Sequence, residues 1–235
     1  MDHLSTPMEI VEGVHLIEGG YANVYLIING DELTLVDTGM PWNTENILRY
    51  VNRIGRTPSD ICKILLTHHH IDHVGCAGKL RERTGGEIAI HKDDASFVEG
   101  RETPPAPKGT AGLIFRVLSP LLRFKPIRPD LILEEGEEVE GLRVIHTPGH
   151  TPGSISLYEP VRKVLFVGDA LRFIKGRLKG PPQSFTQDMG LALRSIEKIS
   201  NLEFDIMLSG HGDPLRPEAN EKIRKFYSSV RGKVQ

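Results

Sequence analysis

Only two cysteines, Cys62 and Cys76, occur in the 235 residues, and they are not spaced as C-x-x-C. At most one bridge is possible, so a disulfide framework is excluded and reduced thiols in a cytoplasmic protein are expected. Long hydrophobic runs are missing too: none approaches the roughly 18 residues of a transmembrane helix. The segment from Met1 to Pro7 has neither the basic nor the apolar region of a signal peptide, so no secretory segment is expected. Excess charge is also absent. A formal charge of −2 argues against a protein that binds nucleic acid through bulk electrostatics. No short-period repeat or low-complexity tract interrupts the chain. What remains, 39% apolar and 26% charged residues, is enough to bury a core, and the length fits one domain over 1–235.

Turn signals divide the first part of the chain. Val11 to Ile17, Asn23 to Ile28 and Leu33 to Val36 read as strands of an antiparallel meander, punctuated by Gly19-Gly20 and Asn29-Gly30-Asp31. Ile47, Leu48, Val51 and Ile54 fall at helical spacing after Asn43, and Gly55 stops that helix. Ile61 to Leu66 is a short buried strand, followed by a helix from Asp72 or His73 to about Arg83. A strand at Glu87 to Ile90 and a helix at Lys92 to Val98 come next. Residues 100–129 differ: prolines bracket the apolar stretch Ala111 to Phe124. That stretch reads as a lid or pocket wall, or equally as a helix packed on the body, and its apolar part offers a homodimer interface. Strands at Arg143 to His146, Ile155 to Tyr158, Lys163 to Val167 and Ile206 to Ser209 follow, with helices at about 188–200 and 217–230. The pattern predicts two packed sheets with helices outside, built as two similar halves.

Seven residues carry the chemistry. His68, His70, Asp72 and His73 lie in Thr67-His-His-His-Ile-Asp-His73, and His150, Asp169 and His211 each sit in a glycine-bearing turn. Five imidazoles and two carboxylates exceed the four ligands of one tetrahedral ion. They suit two adjacent ions with a carboxylate between them, an arrangement that serves hydrolysis. Alternate residues His68 and His70 of an extended segment point the same way. Histidine suits zinc or iron and the carboxylates also admit manganese; zinc is expected.

The motifs Val36-Asp37-Thr38-Gly39, Thr67-His-x-His-x-Asp-His-x-Gly75, Thr147-Pro148-Gly149-His150-Thr151-Pro152-Gly153, Gly168-Asp169 and Gly210-His211-Gly212 span nearly the whole length. Through them the chain resembles the metallo-β-lactamase fold superfamily, and within it the glyoxalase II-like (hydroxyacylglutathione-hydrolase-like) majority. The resemblance implies an α+β fold, a four-layer αββα sandwich of two mostly antiparallel sheets with the metals at one edge. It implies that His68, His70 and His150 hold one ion, that Asp72, His73 and His211 hold the other, and that Asp169 bridges them. Bound metal lowers the pKa of water from about 15.7 to about 7, and the hydroxide attacks a small ester, thioester or lactone. Asp72 is then the catalytic residue that orients it or accepts its proton.

Other residues receive plainer readings. His69 points away from its neighbours and is expected to be a buried hydrogen-bonder, His146 to pack in the core, and His3, His15 and His91 to be structural or exposed. Asp37 is expected to brace the metal loop and Cys76 to be a small buried residue. The basic loop with Arg172, Lys175, Arg177 and Lys179 is read as solvated surface, with Arg172 and Lys175 the candidate contacts for an anionic substrate. Arg172 stands where some lactonase relatives carry tyrosine, which argues against acyl-homoserine-lactone specialisation. The stretch after His211 is enough for one helix, so glutathione, held by a C-terminal helical domain in glyoxalase II, is not the expected substrate. A mononuclear iron persulfide dioxygenase is the main alternative, and a transfer-RNA-processing nuclease a weaker one. The expected partner is a small-molecule substrate, with no membrane and no nucleic acid.

Overall fold

Side chains alternate across each strand, and this sorts the apolar residues of the chain into three layers. The computed structural model describes residues 8–17, 21–110, 112 and 125–232. The stretch Ala111 to Phe124 lies outside them except for Gly112, and so does His3.

The first sheet begins as a meander of β1 (Met8–Val11), β2 (Val14–Ile17), β3 (Val24–Asn29) and β4 (Glu32–Val36), all antiparallel. The single strand expected over Val11 to Ile17 is two strands. Gly13 takes φ +73 at the turn between them, and its N–H donates to the Glu9 carboxylate at 2.8 Å. Beyond β4 the sheet turns parallel, through β5 (Ile61–Leu66), β6 (Glu87–His91) and β7 (Leu131–Leu133). Parallel neighbours need a crossover on one face. α1 (Thr44–Arg53) lies between β4 and β5, and α2 (Ile71–Val74) and α3 (Ala77–Thr84) lie between β5 and β6. α4 (Lys92–Val98) follows β6. The first sheet is therefore mixed rather than mostly antiparallel.

The helix expected from Asp72 to Arg83 is broken into α2 and α3. The His73 carbonyl, which a continuous helix would give to Ala77, accepts instead from the Thr38 N–H at 2.7 Å and the Thr38 hydroxyl at 2.8 Å. A β-carbon on Gly75 would fall 2.6 Å from the Pro41 nitrogen, so only glycine lets this corner close.

The second sheet runs in the order β14 (Ile206–Ser209), β11 (Val164–Gly168), β10 (Ile155–Glu159), β9 (Leu142–His146), β8 (Glu138–Val139). Its pairings are antiparallel except that of β14 with β11. The basic loop is a hairpin of β12 (Arg172–Ile174) and β13 (Arg177–Lys179). α5 (Met189–Ser200) and α6 (Ala219–Val230) complete this half.

The layers follow from the strands. On β5, Ile64 and Leu66 pack with Ile47 and Leu80 of the first helices, while Leu65 faces the second sheet. On β11, Val164 and Phe166 face the first sheet, and Leu165 and Val167 pack with Ile196 and Ile223 of α5 and α6. Helices, sheet, sheet and helices form the expected αββα sandwich. No helix among the described residues is long and apolar enough to cross a membrane.

Candidate metal centre

Strands β4 and β5 run parallel, as do β11 and β14, so four strand ends deliver side chains to one edge of the sandwich. Asp37 follows β4, His68 to His73 follow β5, Asp169 follows β11 and His211 follows β14. His150 comes from the β9–β10 turn. All seven expected ligands meet there. Donor atoms of His68, His70 and His150 lie within 4.8 Å of one another, as do those of His68, His73 and Asp169, and those of Asp72, His73 and His211.

Hydrogen bonds on the far side of each ring decide which nitrogen faces this centre. The Thr67 hydroxyl donates to Asp37 Oδ2 at 2.8 Å, so at 3.0 Å it accepts from His68 Nδ1. His73 Nδ1 donates to Asp37 Oδ2 at 2.7 Å, and His211 Nδ1 to the Tyr21 carbonyl at 2.9 Å. The Thr186 hydroxyl donates to the Pro182 carbonyl at 2.8 Å and accepts from His150 Nδ1 at 3.2 Å. Each of these four rings thereby turns its Nε2 inward, the arrangement by which outer partners orient metal-binding histidines. His70 presents Nδ1, 3.0 Å from His150 Nε2.

Asp169 lies between the two groups. Its Oδ2 is 3.4 Å from His150 Nε2 and 3.5 Å from His211 Nε2, and its Oδ1 is 3.5 Å from His73 Nε2. Asp72 Oδ2 is 3.3 Å from His211 Nε2 and 3.9 Å from His73 Nε2. Two donors on one tetrahedral ion, each about 2.1 Å from it, stand about 3.4 Å apart. His68 Nε2, His73 Nε2 and Asp169 Oδ1 are buried without a hydrogen-bond partner. Such unpartnered buried atoms fit divalent ions, His73 Nε2 once it has given up its proton.

The protonation pattern separates the groups. Burial lowers His68, His70 and His150, with neighbouring imidazoles adding to the effect, and His70 falls to about 3. Burial acts the same way on His73, but Asp37, Asp72 and Asp169 outweigh it and raise it to about 10. His211 is raised as well, against burial, by Asp72 and Asp169. Burial raises the Asp169 carboxyl, while for Asp72 the adjacent His73 and His211 overcome burial and lower it.

The supporting residues match several expectations. Asp37 braces the loop with both oxygens, accepting also from the Thr67 N–H at 2.8 Å, and holds φ +61. Cys76 is buried, its thiol donating to the Thr38 carbonyl at 3.1 Å. His69 points away from the centre and stacks on Phe97 at 4.3 Å. His146 is half-buried rather than in the core and stacks on buried His91 at 4.0 Å. His15 is buried, 3.0 Å from the Tyr50 hydroxyl. Of the two substrate candidates, the Arg172 guanidinium donates to the Gly180 carbonyl at 3.1 Å, and Lys175 is exposed at the tip of the β12–β13 hairpin.

Sequence reasoning missed Asp94. Fully buried at the start of α4, it accepts from the His69 N–H at 2.9 Å, the Thr151 hydroxyl at 2.7 Å and the Gly153 N–H at 2.7 Å. It thus ties the His68–His73 loop to the His150 turn. Burial raises its carboxyl, but these donors and His69 hold it below its usual range. The only signal was an acidic residue in a first helical turn, which is ordinary there. Asp94→Ala strands three buried donors and is expected to cost about 3 kcal/mol or more in urea unfolding. An unchanged midpoint would mean that Asp94 does not join the loops.

A model of the metallo-beta-lactamase superfamily matches residues 17–211. The chain is 34% identical over 229 residues to YflN, a probable metallo-hydrolase of Bacillus subtilis (strain 168), over 88% of this chain and 86% of that one. It is 26% identical to the acyl-coenzyme A thioesterase MBLAC2 of Bos taurus, over 91% and 81% of the two chains. Among solved structures, the metallo-beta-lactamase family protein TTHA1429 from Thermus thermophilus superposes with TM-score 0.74 at 24% identity, over 95% of this chain and 81% of that one. TTHA1623, solved in a di-iron-bound form, gives 0.65 at 26% identity, over 86% and 92%. With the matched family model and the YflN relative spanning most of its length, the chain belongs to the metallo-beta-lactamase superfamily.

Proposed function

We propose that the protein is a dinuclear metal-dependent hydrolase of small thioesters, esters or lactones, of the glyoxalase II-like branch, and that zinc fills both positions. The observation that carries this reading is Asp169, whose carboxylate reaches both histidine groups: its Oδ2 lies 3.4 Å from His150 Nε2 and 3.5 Å from His211 Nε2, and its Oδ1 3.5 Å from His73 Nε2. Two ions held there would supply an acidified water and a Lewis acid for the scissile carbonyl. His68, His70 and His150 would hold the first, Asp72, His73 and His211 the second, and Asp169 both. Asp72, beside His211 and partly open to solvent, would orient the attacking water or accept its proton. The activity for which the MBLAC2 relative is named favours thioesters within the substrate class.

Metal analysis of purified protein, with a panel of thioester, lactone, phosphoester and persulfide substrates, tests the proposal. Two ions per chain and turnover of a thioester, ester or lactone are expected. One iron with oxygen-dependent persulfide turnover would replace this reading by a dioxygenase.

The protonation pattern predicts unequal loading. His73, raised to about 10, carries its proton in the metal-free protein at neutral pH and must lose it to bind. Affinity of its group should rise about tenfold per pH unit. The first group is already neutral and should show little pH dependence between about pH 6.5 and 8. Metal titrations at the two pH values check this, and equal slopes for both ions would contradict the assignment.

A further inference from the structure

A cleft of about 290 Å³ opens beside His70, between the segment Pro105–Lys108 and the turn Ser184–Gln187. It lies at the lower end of ligand-pocket sizes, so it suits a short arm rather than a polymer. Because His70 borders it, anything lying in it extends from the metal centre.

The polar groups of the cleft are unbalanced. Lys108 straps its walls together: its N–H donates to the Ser184 carbonyl at 2.7 Å, and its ammonium to the Thr186 carbonyl at 2.9 Å and the Gln187 carbonyl at 3.2 Å. The Thr186 hydroxyl is committed to Pro182 and His150. Three wall carbonyls are thus occupied, and the lining side chains include no carboxylate. Donors remain. Lys108 keeps a third ammonium proton, and the Gln187 side-chain nitrogen is buried without a partner. Buried amide donors are rarely left unmade, and the broad terminal torsion of glutamine lets this one turn toward the cleft. Pro105, Ala106, Pro107 and Phe185 make the rest apolar.

We propose that this cleft binds a substrate arm carrying a carbonyl acceptor, and that Gln187 is the specificity residue that donates to it. The assignment rests on the hydrolase reading for its substrate class: small acyl compounds, above all thioesters whose thiol arm contains an amide. Neither Arg172 nor Lys175 lines this cleft. A site built to hydrogen-bond one substrate group discriminates against the analogue that lacks it.

The hexanoyl thioester of N-acetylcysteamine, with one amide carbonyl in its arm, is to be compared with that of butanethiol, which has none. Metal-loaded wild type should favour the amide-bearing substrate by about tenfold in kcat/KM, chiefly through KM. In Gln187→Met and Gln187→Glu the ratio should fall toward one, with metal content retained. A wild-type ratio near one, or a ratio kept in both variants, overturns the proposal. If neither thioester is turned over, the hydrolase reading fails separately. The cleft is then decided by calorimetry with the hexyl thioether of N-acetylcysteamine, which should bind wild type about tenfold more tightly than Gln187→Met. No binding, or equal affinities, would overturn it.

Discussion

Asp169→Ala is expected to lower turnover by roughly 10³-fold or more, with loss of at least one ion per chain, because one carboxylate faces both histidine groups. The metal-free variant should nevertheless be no less stable than metal-free wild type. Burial, with Asp72 and Asp37 nearby, raises the Asp169 carboxyl against the opposing pull of His73 and His211. A carboxyl whose folded pKa lies above its unfolded value weakens the fold at all pH above the unfolded pKa, and neutral pH is in that window. Alanine removes that penalty, but the variant also loses the stabilisation that bound metal confers. Thermal unfolding with and without zinc checks both halves. A variant that bound two ions and turned over at the wild-type rate would rule out the bridging role.

The two levels of structure were legible to different degrees. Strands that alternate or form short β-branched runs were placed closely: Ile61 to Leu66 and Ile206 to Ser209 match β5 and β14 residue for residue. α4 likewise coincides with the expected Lys92 to Val98. Errors arose where a distant partner decides the local structure. The break between α2 and α3 depends on Thr38 taking the His73 carbonyl, a contact 35 residues away in sequence. The three residues of β7 and two of β8 are too short to carry a periodic signal. The β12–β13 hairpin was hidden because its charged residues read as solvated loop, although Phe173 pairs with Gly212 beside His211.

At the site, the seven donors were legible because histidine and aspartate in glycine turns have few other uses. Their supports were not. Thr186 and the Tyr21 carbonyl orient His150 and His211 through atoms of a kind found all along the chain, and only folding singles them out. The same limit applies to the cleft, since the commitment of Lys108 to three carbonyls cannot be read from its neighbours in the chain.

Gly210→Ala should damage the centre almost as much as deleting a ligand, though it removes no donor. A β-carbon at Gly210 would stand 2.5 Å from Asp169 Oδ1 and 2.5 Å from His73 Cε1. Neither neighbour can yield cheaply. His73 is held from behind by Asp37 at 2.7 Å, and both side chains are buried. Nor can the backbone retreat easily, because the Gly210 N–H donates to the Gly168 carbonyl and its own carbonyl accepts from the Asn23 N–H, each at 2.7 Å. The added methyl must therefore push apart the two groups that the bridging position needs close. Displacements of about 1 Å at a reacting site can cost about 100-fold in rate, so a loss of that order or greater is expected, with weakened uptake of the second ion. Gly180→Ala is the control: its β-carbon would meet only Ile196 Cδ1, at 3.8 Å, and turnover should stay within about twofold of wild type. If Gly210→Ala kept both ions and wild-type turnover, the close packing of Gly210 against Asp169 and His73 would have no part in holding the centre.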